Sequence, residues 1–401
     1  MQGFDRKTIP RVSKESLYKK YGQERKSTVL DTGKTAVLDD ECTVLGEKTV
    51  GQDEKTIGEK TMDKVLSVVI PSYNVERFLR QTLDSFLDKR ILKDIEVLIV
   101  DDGSSDGTGA IGKEYENRYP DSFRLISKKN GGHGSTINRG IEESRGTYFK
   151  VVDGDDWVDT EGFVCMVEKL RTCSADYVVC NYYEVDDQTK ERTPREFKML
   201  QREQGSGEYW NFSEIVTRTQ IPMHSLAIRS AILKEHHIRL DEHCFYVDVE
   251  YILYPVPYVE KVAFFDIYVY MYRLAQATQS VSMQGYQKHI QNHIDVIMHL
   301  TDFVTEYAKQ EDSQKEKIEY ISKRIAEMVG EQITIFMSYP VENEEMKQKF
   351  IEFDQELLSK NPEIYRLAGQ ESGTLSLLRR TGFRGYKTIV KMGKKRNGME
   401  G

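Results

Sequence analysis

A chain of 401 residues, 39% hydrophobic and 30% charged, can bury one large core or two to three ordinary ones. Its formal net charge of −8 argues against general nucleic-acid binding, and no run approaches the ~18 apolar residues of a membrane span. Five cysteines at 42, 165, 173, 180 and 244, without metal-site spacing, read as reduced thiols. The opening MQGFDRKTIPRVSK has no apolar leader stretch, so the expected place is the cytoplasm.

Residues 1–64 read as a tail. Thr28, Thr35, Thr43, Thr49, Thr56 and Thr61 each precede an aliphatic residue or Met or Ala at intervals near seven, too thin an apolar supply for a core. The segment is expected to be polar and disordered, either a plain leader or a row of threonines whose phosphates would recruit an Arg-bearing partner.

From residue 65 the pattern becomes regular. VLSVVIPSYN reads as a buried strand, VERFLRQTLDSFLDK as a helix, DIEVLIVDDGSS as a second strand and DGTGAIGKEYENRY as a second helix. FRLISK, GSTINRGIEESRG and TYFKVV continue the alternation, which implies α/β architecture: a doubly wound, mostly parallel sheet with flanking helices. Residues 65–172 make its first half. The Tyr-rich stretch 173–283 extends the sheet as the second wall of a cleft. Residues 284–370 read as a mainly helical C-terminal region. Beyond 371 lies a basic tail, with eight Lys/Arg and no acid from Leu377 to Asn397. Its interleaved apolar residues make it a candidate for peripheral contact with the anionic inner face of a membrane, alongside a plain solvated tail.

In doubly wound sheets ligands bind beyond the carboxyl ends of the strands. Three polar clusters fall there: PSYN, DDGSSD and DGDD. Tyr73 offers a face for a planar base and Asn74 an amide for its edge. Asp101 and Asp102 end one strand; Asp153, Asp155 and Asp156 follow another. Three crowded carboxylates repel unless a cation neutralises them, and Mn²⁺ or Mg²⁺ takes such oxygen ligands together with substrate phosphates. A helix N-terminus would explain one of these acids, hardly three. Jointly the clusters suit base, ribose and a metal-bridged diphosphate.

LSVVIPSYNVERFLRQTLDSFL, EVLIVDDGSSDGT, NGGHGSTINRGI and TYFKVVDGDDWVD resemble, in order and spacing, the successive blocks of the family 2 glycosyltransferases of GT-A fold. The resemblance is dense over 65–172 and fades toward 283. It implies an inverting transferase of hexosyltransferase type, moving a sugar from a nucleotide diphosphate, usually a UDP-sugar, to a hydroxyl of a glycan, lipid-linked or other acceptor. By the same likeness Pro71 and Tyr73 line the base pocket, Asp102 bonds the base edge beside Asp101, and Asp153 and Asp155 occupy the DxD positions. Asp156 is an alternative metal ligand, and Asn138 matches a donor-side position.

Ile137 replaces an arginine of the family pattern, for which His133 or Arg139 could substitute. Asp248 in CFYVDVEYIL is the expected catalytic base, with Glu250 and Asp241 behind it; capping of the following helix is the plainer alternative. Arg273, Gln279 and Ser280 are candidate diphosphate contacts. HHIRLDEHC is not expected to hold zinc, because its adjacent histidines point to different faces. A nicotinamide dehydrogenase fits poorly, since no glycine fingerprint follows the first strand. A non-catalytic nucleotide-sugar sensor that recruits partners through the Thr-rich tail is the rival from another class.

Overall fold

The computed structural model describes residues 64–201, 208–274 and 282–396. The Thr-rich tail, Gln279 and Ser280 lie outside the described residues. Runs such as LSVVI and EVLIV become strands buried on both faces, because helices cover each side of the sheet. Strands β1 (Lys64–Ser72), β2 (Ile95–Asp101), β3 (Phe123–Ser127) and β4 (Gly146–Val151) are mutually parallel, in the order β3-β2-β1-β4. The helices Glu76–Asp84, Thr108–Arg118 and His133–Glu143 make the crossovers between them.

The second half extends the same sheet. After the short β5 (Trp157–Val158) come β6 (Tyr177–Asp186), β7 (Arg192–Arg195), β8 (Tyr209–Asn211), β9 (Leu226–Arg229) and the long β10 (Lys261–Leu274). β9 lies antiparallel between β4 and β6, β10 runs parallel to β6, and β5 closes the edge antiparallel to β10. Parallel order therefore holds among β1 to β4, and the rest of the sheet is mixed.

The C-terminal region is helical as expected: Ile290–Tyr307, Lys315–Ser338, Glu344–Lys360 and Pro362–Glu371. The basic stretch departs from the expected tail. It forms helices Gly373–Arg380 and Tyr386–Arg396, which spend Leu375, Leu378, Tyr386, Ile389 and Val390 on the helical core. Leu377 and Met392 stay exposed. Most of the apolar face that a membrane would receive is thus already buried in protein. Among the described residues no helix is long and apolar enough to cross a membrane.

Candidate active site

The carboxyl ends of β1, β2 and β4 place the three polar clusters at one rim. Pro71 ends β1 buried, and its carbonyl accepts a hydrogen bond from Gly154 N at 3.1 Å. A Cβ on Gly154 would come within 2.8 Å of that carbonyl oxygen, so the acidic loop can lie this close only with glycine there. Tyr73 stands 54% exposed beside it. Asn74 takes a left-handed conformation (φ 53°). Its Oδ1 accepts from Ser105 N (2.8 Å), while its own N–H donates to Ser104 Oγ (3.0 Å). The side-chain oxygen thus ties the first loop to the second instead of being held ready for a base edge.

Asp101 and Asp102 also brace loops. Asp101 Oδ1 accepts from Ser104 N (3.0 Å). Asp102 is buried and takes four donors: Lys128 Nζ (2.7 Å), Gly131 N (2.9 Å), Gly132 N (2.8 Å) and, longer, Ser135 Oγ (3.5 Å). Gly132 sits at φ 86°, so the turn into the helix His133–Glu143 requires glycine. Lys128 is a cation that sequence reasoning missed. Ile137 is core. Of its two suggested substitutes, Arg139 pairs with Glu143 on the exposed helix face, whereas His133 enters the site with Nε2 2.9 Å from Asp153 Oδ1. Burial opposes protonation of His133, yet the charges of Asp153, Asp248 and Asp155 and the bond to Asp153 outweigh it and raise its pKa. Asp248, at the start of the helix Asp248–Leu253, is thus one of the charges that reach His133.

The three aspartates divide. Asp156, 2% exposed, is a buried post: Tyr270 OH donates to Oδ2 (2.6 Å) and Arg273 N to Oδ1 (2.7 Å). Burial first, then the charges of Asp155 and Asp153, push its pKa well above the carboxylate range. Asp153 and Asp155 remain partly exposed. Donor atoms of Asp153, Asp156 and His224 lie within 4.8 Å of one another, and Asp155 falls outside that group. Two carboxylates and an imidazole form a donor set that suits a divalent ion, and the under-neutralised Asp156 calls for positive charge. His224 has its ring centroid 4.0 Å from that of Tyr272 and its carbonyl 2.9 Å from Lys150 Nζ. Burial lowers the Lys150 pKa to about 8. The only sequence signals for His224, Tyr270 and Lys150 were a polar residue inside an apolar run and the Tyr alternation of β10.

Asn138 and Arg273 are both engaged by the protein's own groups. Asn138 is buried and binds backbone: Nδ2 donates to Leu240 O (2.9 Å) and Oδ1 accepts from Leu240 N (2.8 Å). It pins the loop that leads to Asp248. Arg273, 3% exposed, donates to Asp155 O (2.6 Å), Asp187 Oδ1 (2.6 Å) and Gln81 Oε1 (2.9 Å), with Trp157 and Phe78 against its guanidinium. It braces the acidic loop and has no exposed face for a diphosphate. Removing one partner of a buried ion pair costs about 3–5 kcal/mol. Arg273→Ala is therefore expected to lower the calorimetric melting temperature by several degrees, and an unchanged transition would contradict the bracing role.

Glu250 is buried behind Asp248, and its Oε2 accepts from Asp241 N (2.8 Å). In HHIRLDEHC, His236 stacks on Tyr258, and Asp241 turns instead to His299.

Residues 67–234 match the family model "Glycosyl transferase family 2". The chain is 37% identical over 133 residues to "Uncharacterized glycosyltransferase EpsJ" of Bacillus subtilis, covering 33% of this chain and 38% of that protein. It is 34% identical over 126 residues to "Glycosyltransferase GlyA" of Streptococcus pneumoniae, covering 31% and 18%. These matches span less than half the length of either relative. The crystal structure of S. aureus TarS 1–349 in complex with UDP-GlcNAc superposes with TM-score 0.60 at 18% identity, over 83% of this chain and 92% of that one. This likeness shows that the GT-A fold is shared.

Proposed function

We propose, from the glycosyl transferase family 2 domain that this chain carries at residues 67–234, that it is an inverting glycosyltransferase acting on a UDP-sugar donor and a hydroxyl of a glycan or lipid-linked acceptor. One observation carries the reading. Donor atoms of Asp153, Asp156 and His224 converge within 4.8 Å of one another just beyond the carboxyl end of β4, where sheets of this kind bind their ligands.

In this reading Tyr73 stacks on the base, and Pro71 shapes the pocket wall. Asp248 takes the proton of the acceptor hydroxyl as its oxygen bonds to the anomeric carbon. The bond from that carbon to the diphosphate oxygen breaks on the opposite face, and the electron pair leaves with UDP. His133 holds Asp153 in place. Asp155 and Asp156, with Asp153 and His224 beside them, would hold Mn²⁺ or Mg²⁺, which when bound supplies positive charge against the departing diphosphate.

A screen for UDP release over common nucleotide sugars, with Mn²⁺ or with EDTA, tests the reading. One UDP-sugar is expected to be turned over with Mn²⁺ and to fall to background with chelator. Binding of UDP-sugars with no release under any condition would favour a sensor instead. Contact of the basic helices Gly373–Arg380 and Tyr386–Arg396 with an anionic surface would rest mainly on charge, since most of their apolar side chains are buried.

A further inference from the structure

A second cluster lies apart from the acidic loop. Donor atoms of Asp241, Glu250 and His299 come within 4.8 Å of one another. They reach this point from three elements: the loop after Leu240, the helix Asp248–Leu253 and the helix Ile290–Tyr307. His299 Nδ1 is 2.5 Å from Asp241 Oδ2. Glu250 is 0% exposed, and its Oε1 has no hydrogen-bond partner. A buried acceptor left unmatched costs about 1–3 kcal/mol, more when it is charged.

We propose that Asp241, Glu250 and His299 form a second metal site, which takes a zinc ion and clips the 239–247 loop to the helical C-terminal region. Two carboxylate oxygens and one imidazole nitrogen are all zinc ligands at about 2.0–2.2 Å, and a water completes the tetrahedron on the solvent side of His299. The ion would stand between His299 Nδ1 and Asp241 Oδ2 and give Glu250 Oε1 its missing partner. Zinc binds such mixed oxygen and nitrogen donors more tightly than manganese or magnesium does. The loop it fixes holds His243 (φ 56°) and Tyr246 (φ 69°) in the left-handed region, which is costly for residues with side chains, so an added tether there has a place to act. This inference does not depend on the transferase reading, although Asp241 and Glu250 stand behind Asp248, its expected base.

The test is zinc uptake by chelator-stripped full-length protein, measured by elemental analysis after desalting and by the shift in melting temperature. The panel is wild type, His299→Ala, Glu250→Gln and Asp155→Asn. His299 is 51% exposed in its side chain, so its removal leaves the fold intact. Wild type and Asp155→Asn are each expected to hold one equivalent more than His299→Ala, in which zinc no longer raises the melting temperature through this site. Glu250→Gln is expected to fold and to bind at least tenfold more weakly. Equal uptake by wild type and His299→Ala would overturn the proposal, and so would its complete loss in Asp155→Asn.

Discussion

Replacing Asp248 with Asn is expected to lower kcat by about 10²–10⁴, the usual contribution of a positioned general base, and to leave UDP affinity within a few-fold of wild type. The split follows from position. Asp248 begins the helix Asp248–Leu253 and its charge acts on His133, so as general base it would meet the acceptor hydroxyl and leave the nucleotide to other residues. Asn keeps the size and the helix start but cannot accept a proton. The check is steady-state turnover with the best donor from the UDP-release screen, beside UDP titration calorimetry. If the variant turns over within tenfold of wild type, Asp248 is a cap and the base lies elsewhere.

The second large effect separates neighbours that the sequence could not tell apart. Asp155→Ala is expected to lower kcat by about 10²–10³, the loss typical of removing one electrostatic contact to developing charge. Asp156→Ala should lose stability as well. It orphans the Tyr270 hydroxyl and the Arg273 N–H, each costing about 1–3 kcal/mol. Calorimetry and UDP release measured side by side on both variants decide the matter. Full activity in both would remove the acidic loop from the reaction.

The parallel half of the sheet was legible because its strands are apolar runs buried on two faces, separated by helices of ordinary amphipathic pattern. The rim clusters were legible for the same reason: charge directly after a buried run has few places to go. Individual roles were less so. Asn138 and Arg273 carry groups that would suit a nucleotide, yet their partners, Leu240 and Asp187, come from distant segments whose approach no local pattern announces. His224 reaches Asp153 and Asp156 only because β9 is inserted between β4 and β6, a choice of strand order invisible in periodicity. The basic helices deceived differently: their apolar spacing was real, but the surface it matched was the protein's own.

That strand order has a kinetic corollary. β1 to β4 can pair from contiguous chain, whereas Asp156 meets the Arg273 amide across 117 residues, after β10 has returned to lie beside β6. Loop closure over such a span is among the slower events of assembly. The acidic loop therefore gains its brace late, and a nascent chain that has not yet supplied β10 would hold the aspartates without the tyrosine and arginine that set their geometry.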